Sequence, residues 1–314
     1  MHDLVFILGA GRSGTNLLTF AFDRESPDFA NLGENRYVWT YKQAERRSDQ
    51  RRADEMTPQT RDYLHRYFAM RAERLGPQAR VLLDKTPSNA FRIPFISAVF
   101  PEAKFIHIVR DGRDNLLSRS RQWKAQEPEE AASANPMSTV SGKLRYFNSR
   151  LAALRLLLHE RSLPPERIPA LLREVLCRNI LPLMTGRKAL YGERVPGLEQ
   201  ILTIEGTDAA AAVQWRESVL HGRKYGKVLG TDRYLELRYE SFLESPIHEW
   251  HRVVRFLGRT PTGGGDRYLS KNLVVDNHRK WLNSEERSRI NKLETHMRPT
   301  LEHLGYSWNL EDKE

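Results

Sequence analysis

The segment Gly9-Ala10-Gly11-Arg12-Ser13-Gly14-Thr15-Asn16 follows a continuous apolar run, Leu4 to Leu8, and precedes apolar residues at helical density from Leu17 to Phe22. A glycine-rich turn from a buried strand into a helix aims backbone N–H groups and the positive end of the helix dipole at one point, which is chemistry for an anion. Gly9 and Gly14 take the two glycine places of a phosphate loop. The Lys and Ser/Thr that serve the β/γ-phosphates and Mg²⁺ in a triphosphate-binding loop are replaced by Thr15 and Asn16. What remains suits a monoester-like 5′-phosphate, held by backbone donors, the Ser13 and Thr15 hydroxyls and the Arg12 guanidinium. Gly9, Gly11 and Gly14 also spell G-x-G-x-x-G, yet no strand ending in an acidic ribose binder is expected about 20 residues on. The acidic residue at that distance is Glu34, in a loop-like stretch from Asn31 to Arg36.

A second anion site is written into Ile106 to Ser118. Arg110 ends an apolar run and Ser118 lies eight residues on, about two turns into the next helical stretch, so the two can converge on one phosphate. Lys85 stands at the end of a third apolar run, Val81 to Leu83, where an ammonium can reach the glycine-rich loop. Separate anion sites on neighbouring strand ends suit a nucleotide phosphorylated on both the 5′ and 3′ positions.

Positioning these residues takes a strand-loop-helix grammar used three times, from Leu4, Val81 and Phe105, with a fourth strand at Tyr234 to Arg238 before a helix at about Ile247 to Leu257. Such repetition predicts an α/β fold, a three-layer domain with a central parallel sheet and its site at the carboxyl ends of the strands. Residues from about 141 to 222 lack strand signals and read as a helical insertion, and residues 284–306 as a C-terminal helix. The Ala-, Glu-, Ser- and Pro-containing stretch from Lys124 to Asn135 reads as a surface segment. One domain over 1–314 accommodates all of this.

The 314 residues carry a net charge of +10 and 39% hydrophobic residues, an ordinary globular composition with an anionic partner implied. The arginines at 46, 47, 51 and 52 sit beside Glu45, Asp54 and Glu55 and read as a solvated helix face, not a nucleic-acid contact. The single cysteine, Cys177, excludes an intrachain disulfide and a cysteine-based zinc site. No run approaches the roughly 20 apolar residues of a membrane span. A cytoplasmic enzyme is expected, with no integral membrane segment, no required metal and no signal for any oligomeric state.

Taken together, these motifs resemble the two nucleotide-binding signatures of the sulfotransferases that use 3′-phosphoadenosine 5′-phosphosulfate (PAPS). Gly11-Arg12-Ser13-Gly14-Thr15 resembles the family's 5′-phosphosulfate loop, and Arg110 with Ser118 its 3′-phosphate pair. Asp84-Lys85-Thr86-Pro87 is similar to the second-strand segment of the tyrosylprotein and carbohydrate branches, and Leu32 to Arg36 to the tyrosylprotein segment that bears the general base. Leu237 to Glu240, with Tyr239, resembles the late strand, and Arg279-Lys280-Trp281 the closing nucleotide loop. The likeness spans roughly 3–123 and 211–282. It implies PAPS as co-substrate, a hydroxyl-bearing acceptor, Lys85 and Arg12 on the developing charge, Glu34 as base, and Arg279, Lys280 and Trp281 covering the nucleotide. Asn16 is expected to join the nucleotide contacts as the residue that follows the loop.

The sequence departs from the cytosolic branch, which has Lys at the place of Arg12 and a catalytic His on a strand; His107 is one residue off that place and is the second candidate base. Two other readings stand beside this one. A P-loop small-molecule kinase would need the Walker-type lysine, and a nucleic-acid-binding α/β module would account for the charge but not for two phosphate sites plus a strand-end Lys.

Overall fold

The computed structural model describes residues 2–42, 46–76, 78–126, 192–274 and 278–308. Five strands form one sheet: β1 (Asp3–Leu8), β2 (Phe29–Asn31), β3 (Val81–Asp84), β4 (Lys104–Val109) and β5 (Tyr234–Arg238). All pairings are parallel, in the order β2-β3-β1-β4-β5. The expected α/β architecture is therefore present, with β1 central and flanked by β3 and β4. Phe6, Ile7 and Leu8 have no solvent exposure, as both faces of a parallel sheet demand.

Along the chain the helices are α1 (Thr15–Glu25), α2 (Arg36–Trp39), α3 (Pro58–Leu75), α4 (Ile93–Val99), α5 (Gly112–Gln126), α6 (Leu198–Ile204), α7 (Thr207–Gly226), α8 (Tyr239–Glu244), α9 (Pro246–Phe256), α10 (Gly264–Asn272), α11 (Ser284–Asn291) and α12 (Glu294–His303). One core layer gathers Phe6, Trp39, Phe68, Phe95 and Phe105, and another gathers Ile7, Phe22, Ile108, Phe242 and Trp250, on opposite faces of the sheet. A third cluster joins α5, α7, α11 and α12 through Leu116, Trp215, Ile290 and Met297.

Three differences from the sequence reading have physical causes. β2 was not expected: three residues are too few to show a period, and partner strands rather than local preference make it a strand. It lies beyond β3 rather than beside β1, so the dinucleotide arrangement is still not formed. The single C-terminal helix is two, interrupted at Lys292 and Leu293; Ile290, Leu293, Met297 and Leu301 keep helical spacing across the interruption and hide it from pattern reading. Of the helical insertion, only α6 and α7 fall among the described residues; 141–191, Cys177 and most of the segment from 124 to 135 lie outside them.

His107, on β4, is fully buried, with Nδ1 2.6 Å from the Tyr234 hydroxyl and its ring packed on Gly222 of α7. Burial drives its pKa down to about 4, against the pull of Glu236. Between an unfolded pKa of about 6.5 and that value the unfolded chain holds more protons, so acidification removes stability. Asp84 acts in the opposite sense, its pKa raised to about 6 by burial, but it is common to any His107 variant and cancels in a difference. His107→Asn should therefore be less stable than the wild type near pH 7, and urea titrations should show the gap narrowing as pH falls from about 6.5 towards 4. Parallel stability curves would contradict the buried neutral imidazole.

Candidate active site

The glycine-rich loop leaves the end of β1 between the ends of β3 and β4, so side chains from both neighbours can reach it. Gly14 turns the chain into α1 at φ 101°, and a Cβ there would stand 2.7 Å from the Tyr239 ring. Only glycine meets both demands. Arg12 is also left-handed, at φ 74°, an uncommon conformation for a residue with a Cβ. Its conformation is fixed at two points: Nε donates to Ser118 Oγ at 3.0 Å, and its carbonyl accepts from Arg110 Nη1 at 3.1 Å. Arg12, Arg110 and Ser118, read from two separate motifs, thus form one hydrogen-bonded chain.

The loop's underside is polar and closed. Asn115 Nδ2 donates to the Gly11 carbonyl at 2.9 Å and to Ser13 Oγ at 3.0 Å. Ser13 is fully buried and Thr15 nearly so, whereas Arg12 and Asn16 are exposed. Arg110 lies over the Tyr239 ring, 4.5 Å from its centroid, so Tyr239 packs beneath both the loop and the guanidinium. The acids next to Arg110 are engaged elsewhere: Asp111 pairs with Arg113 at 2.7 Å, and Asp114 accepts the backbone N–H groups of Arg279 and Lys280.

That last contact ties the 279–280 segment to α5 and leaves both basic side chains exposed. Trp281 requires a correction. It was expected to offer an aromatic face to a nucleotide, but it is 3% exposed, sits in the cluster with Trp215 and Met297, and has Arg113 stacked 3.5 Å from its centroid. Its ring serves the core and that guanidinium.

On the other flank, the ladder between β2 and β3 runs on past both strands. Leu32 N–H donates to the Leu83 carbonyl at 2.9 Å and Lys85 N–H to the Gly33 carbonyl at 3.1 Å. Gly33, at φ 72°, then turns Glu34 outward. The result is an ion pair, Lys85 Nζ to Glu34 Oε1 at 2.5 Å, with Lys85 mostly covered and Glu34 56% exposed. Beneath it Asp84 accepts from Trp39 Nε1 at 2.8 Å and Asn35 Nδ2 at 3.1 Å, while Asn35 N–H donates to Thr86 Oγ1. Burial raises the Asp84 pKa to about 6, opposed by the bonds from Thr86, Trp39 and Asn35. This network joins the Glu34 and Lys85 loops. His107, by contrast, is walled in by Tyr234 and Gly222, away from any opening.

Sequence reasoning missed Asn115, the Asp84 network and a buried pair, Arg119 with Glu193, that grips Gly11. Asn115 lies inside the Arg110–Ser118 motif and was available to inspection; Glu193 lies 182 residues from Gly11, in no motif. Among the described residues no group of three or more His, Cys, Asp or Glu side chains is placed to hold a metal, and no helix is long and apolar enough to cross a membrane.

Known proteins that the chain resembles point to one family. Protein-tyrosine sulfotransferase 1 of Danio rerio is 33% identical over 123 residues, 37% of this chain and 34% of that protein, so the match spans about a third of the relative. Among solved structures, the sulfotransferase domain from the curacin biosynthetic pathway superposes with a TM-score of 0.51 at 14% identity, covering 98% of this chain and 99% of that one. The sulfotransferase domain of the Synechococcus PCC 7002 olefin synthase gives 0.48 at 14% identity, covering 98% of each. At 14% identity the curacin-pathway domain speaks for the fold alone. The model described as "Sulfotransferase family" matches residues 4–174; with more than half of its length matched, the chain belongs to the sulfotransferase family.

Proposed function

We propose that the protein transfers a sulfuryl group from PAPS to an acceptor hydroxyl, on a carbohydrate, lipid, small molecule or tyrosine. The observation that carries this reading is the chain Arg110–Arg12–Ser118 at one edge of a phosphate loop that has no Walker-type lysine, with Lys85 and Glu34 at the other. The loop amides and Arg12 take the 5′-phosphosulfate and Asn16 borders it, while Ser13 and Thr15, expected among the contacts, are buried and hold the loop's shape. Arg110 and Ser118 take the 3′-phosphate, Tyr239 supports Arg110, and Arg279 and Lys280 add positive charge at the rim. The absence of an intrachain disulfide in a chain with one cysteine supports a reducing, cytoplasmic setting.

In the reaction the acceptor oxygen attacks sulfur in line, the bond from sulfur to the bridging oxygen breaks, and its electron pair leaves on adenosine 3′,5′-bisphosphate. By analogy with phosphoryl transfer, the barrier is lowered chiefly by positioning and by charge set where charge develops. Lys85 and Arg12 meet the charge growing on the bridging oxygen. Glu34, exposed at its loop tip, accepts the acceptor's proton. The Lys85–Glu34 contact holds both groups at the reaction centre before substrates arrive, and the phosphosulfate draws Lys85 off the carboxylate that must act as base.

Lys85→Ala should lower kcat by about 10²-fold or more, with nucleotide affinity changed far less; an unchanged kcat would dismiss the assignment. Glu34→Gln keeps shape but removes the proton acceptor, and kcat should fall about 10²-fold while nucleotide affinity holds. An active Glu34→Gln beside a folded but silent His107→Asn would move the base to His107. By calorimetry, Arg110→Ala should weaken adenosine 3′,5′-bisphosphate at least about tenfold more than it weakens AMP, as loss of a charge-assisted contact does, AMP losing only what the freed Arg12 carbonyl costs the 5′ loop. Equal losses for both nucleotides would displace Arg110 from the 3′-phosphate.

A further inference from the structure

Gly11, the residue before Arg12, has both of its polar backbone groups engaged by one buried ion pair. Its N–H donates to Glu193 Oε1 at 2.8 Å, and its carbonyl accepts from Arg119 Nη2 at 3.1 Å. The pair is closed by Arg119 Nη1 to Glu193 Oε2 at 2.6 Å, with side chains 1% and 4% exposed. Gln214 of α7 completes a ring, accepting from Arg119 at 3.0 Å and donating to the Glu193 carbonyl at 2.7 Å. Burial by itself would push Glu193 up, but Arg119 together with backbone donors, Gly11 N–H among them, outweighs it and keeps the carboxyl below its ordinary range.

The neighbours of Glu193 tie the same short segment to the opposite side of the site. The Gly192 carbonyl accepts from Arg36 Nη2 at 2.8 Å, two residues beyond Glu34. Arg194 N–H donates to Asp49 Oδ2 at 2.8 Å, and Asp49 also receives Arg92 at 2.5 Å. Arg119 itself follows Ser118 on α5. Residues 192–194 therefore strap the phosphate loop, the Ser118 helix and the Glu34 loop into one hydrogen-bonded assembly.

A buried ion pair is a poor source of stability, because desolvating two charges consumes most of their attraction. Its geometric effect is direct: it fixes the orientation of the peptide preceding Arg12, a residue already in an uncommon backbone conformation. We infer that Glu193, held by Arg119, is a positioning residue that sets the Ala10–Gly11 peptide, while Arg119 sets the Gly11–Arg12 peptide that follows, for sulfuryl transfer. The inference rests on the sulfotransferase reading for its reaction, though not for its geometry.

Two double variants test it. Arg119→Met with Glu193→Gln and Arg119→Met with Glu193→Met both abolish the ion pair and share the loss at 119. Gln and Met are similar in length, but only Gln retains an acceptor for the Gly11 N–H. At comparable Tm, both doubles lose the Arg119 contact to the Gly11 carbonyl, and the Met variant should fall about a further tenfold in kcat below the Gln variant, the scale of a displaced reacting group. Amide hydrogen exchange of a peptide covering residues 9–17, in the nucleotide-free protein, should show protection at Gly11 in the wild type and the Gln variant, and faster exchange in the Met variant. Equal kcat in the two doubles with an active wild type, or equal exchange, would overturn the positioning role alone. A wild type that neither transfers a sulfuryl group from PAPS nor binds adenosine 3′,5′-bisphosphate overturns the functional reading instead.

Discussion

Parallel register is the constraint on which the site depends. β1 pairs with β3 at Asp3 to Val81 and with β4 at Val5 to Lys104, so three strands deliver their carboxyl ends to one edge. The phosphate loop leaves the middle strand, Lys85 leaves one neighbour and Arg110 the other. Slipping any strand by one residue would reverse its alternation and send buried side chains such as Phe6 and Leu83 to the opposite face, so the core enforces the alignment that the chemistry requires. Hydrogen bonding from Gly33 to Lys85 extends the same register beyond the strands and sets the Lys85–Glu34 pair.

Around that edge, charge is placed in matched sets. Asp111 goes to Arg113, Asp114 to the amides of 279 and 280, Glu193 to Arg119, and Asp49 to Arg92. Among the described residues, these four acids thus each have a partner within the fold. Asp84 receives neutral donors from Trp39, Asn35 and Asn89, and burial raises its pKa against the hydrogen bonds and the charge of Arg92.

Much of this was legible in the sequence because local signals carried it. Strand-loop-helix grammar announced β1, β3, β4 and β5, and the loop spelling, the eight-residue step from Arg110 to Ser118 and the strand-end Lys85 marked residues that the fold then gathers at one edge. What was not legible depends on distant partners. β2 is too short for periodicity and exists because β3 pairs with it. Glu193 meets Gly11 across 182 residues of sequence, with no motif to flag it. Trp281 was misread because an aromatic beside two basic residues looks like a ligand cover, whereas Arg113, brought over it by α5, claims its face. The interruption at Lys292 and Leu293 leaves the apolar spacing intact and so leaves no trace in the pattern.

The central claim is that two phosphate sites, one for a 5′ and one for a 3′ group, are built without the groups that serve a triphosphate. Thermal unfolding of the wild type with adenosine 3′,5′-bisphosphate, AMP or ATP, each with and without Mg²⁺, tests it with no need to know the acceptor. A ligand bound only to the native state at about 1,000-fold over its Kd stabilises it by about 4 kcal/mol. The account predicts a clearly larger rise in Tm with the bisphosphate than with AMP or ATP, and no requirement for metal. Equal shifts with AMP, or a larger Mg²⁺-dependent shift with ATP, would contradict it.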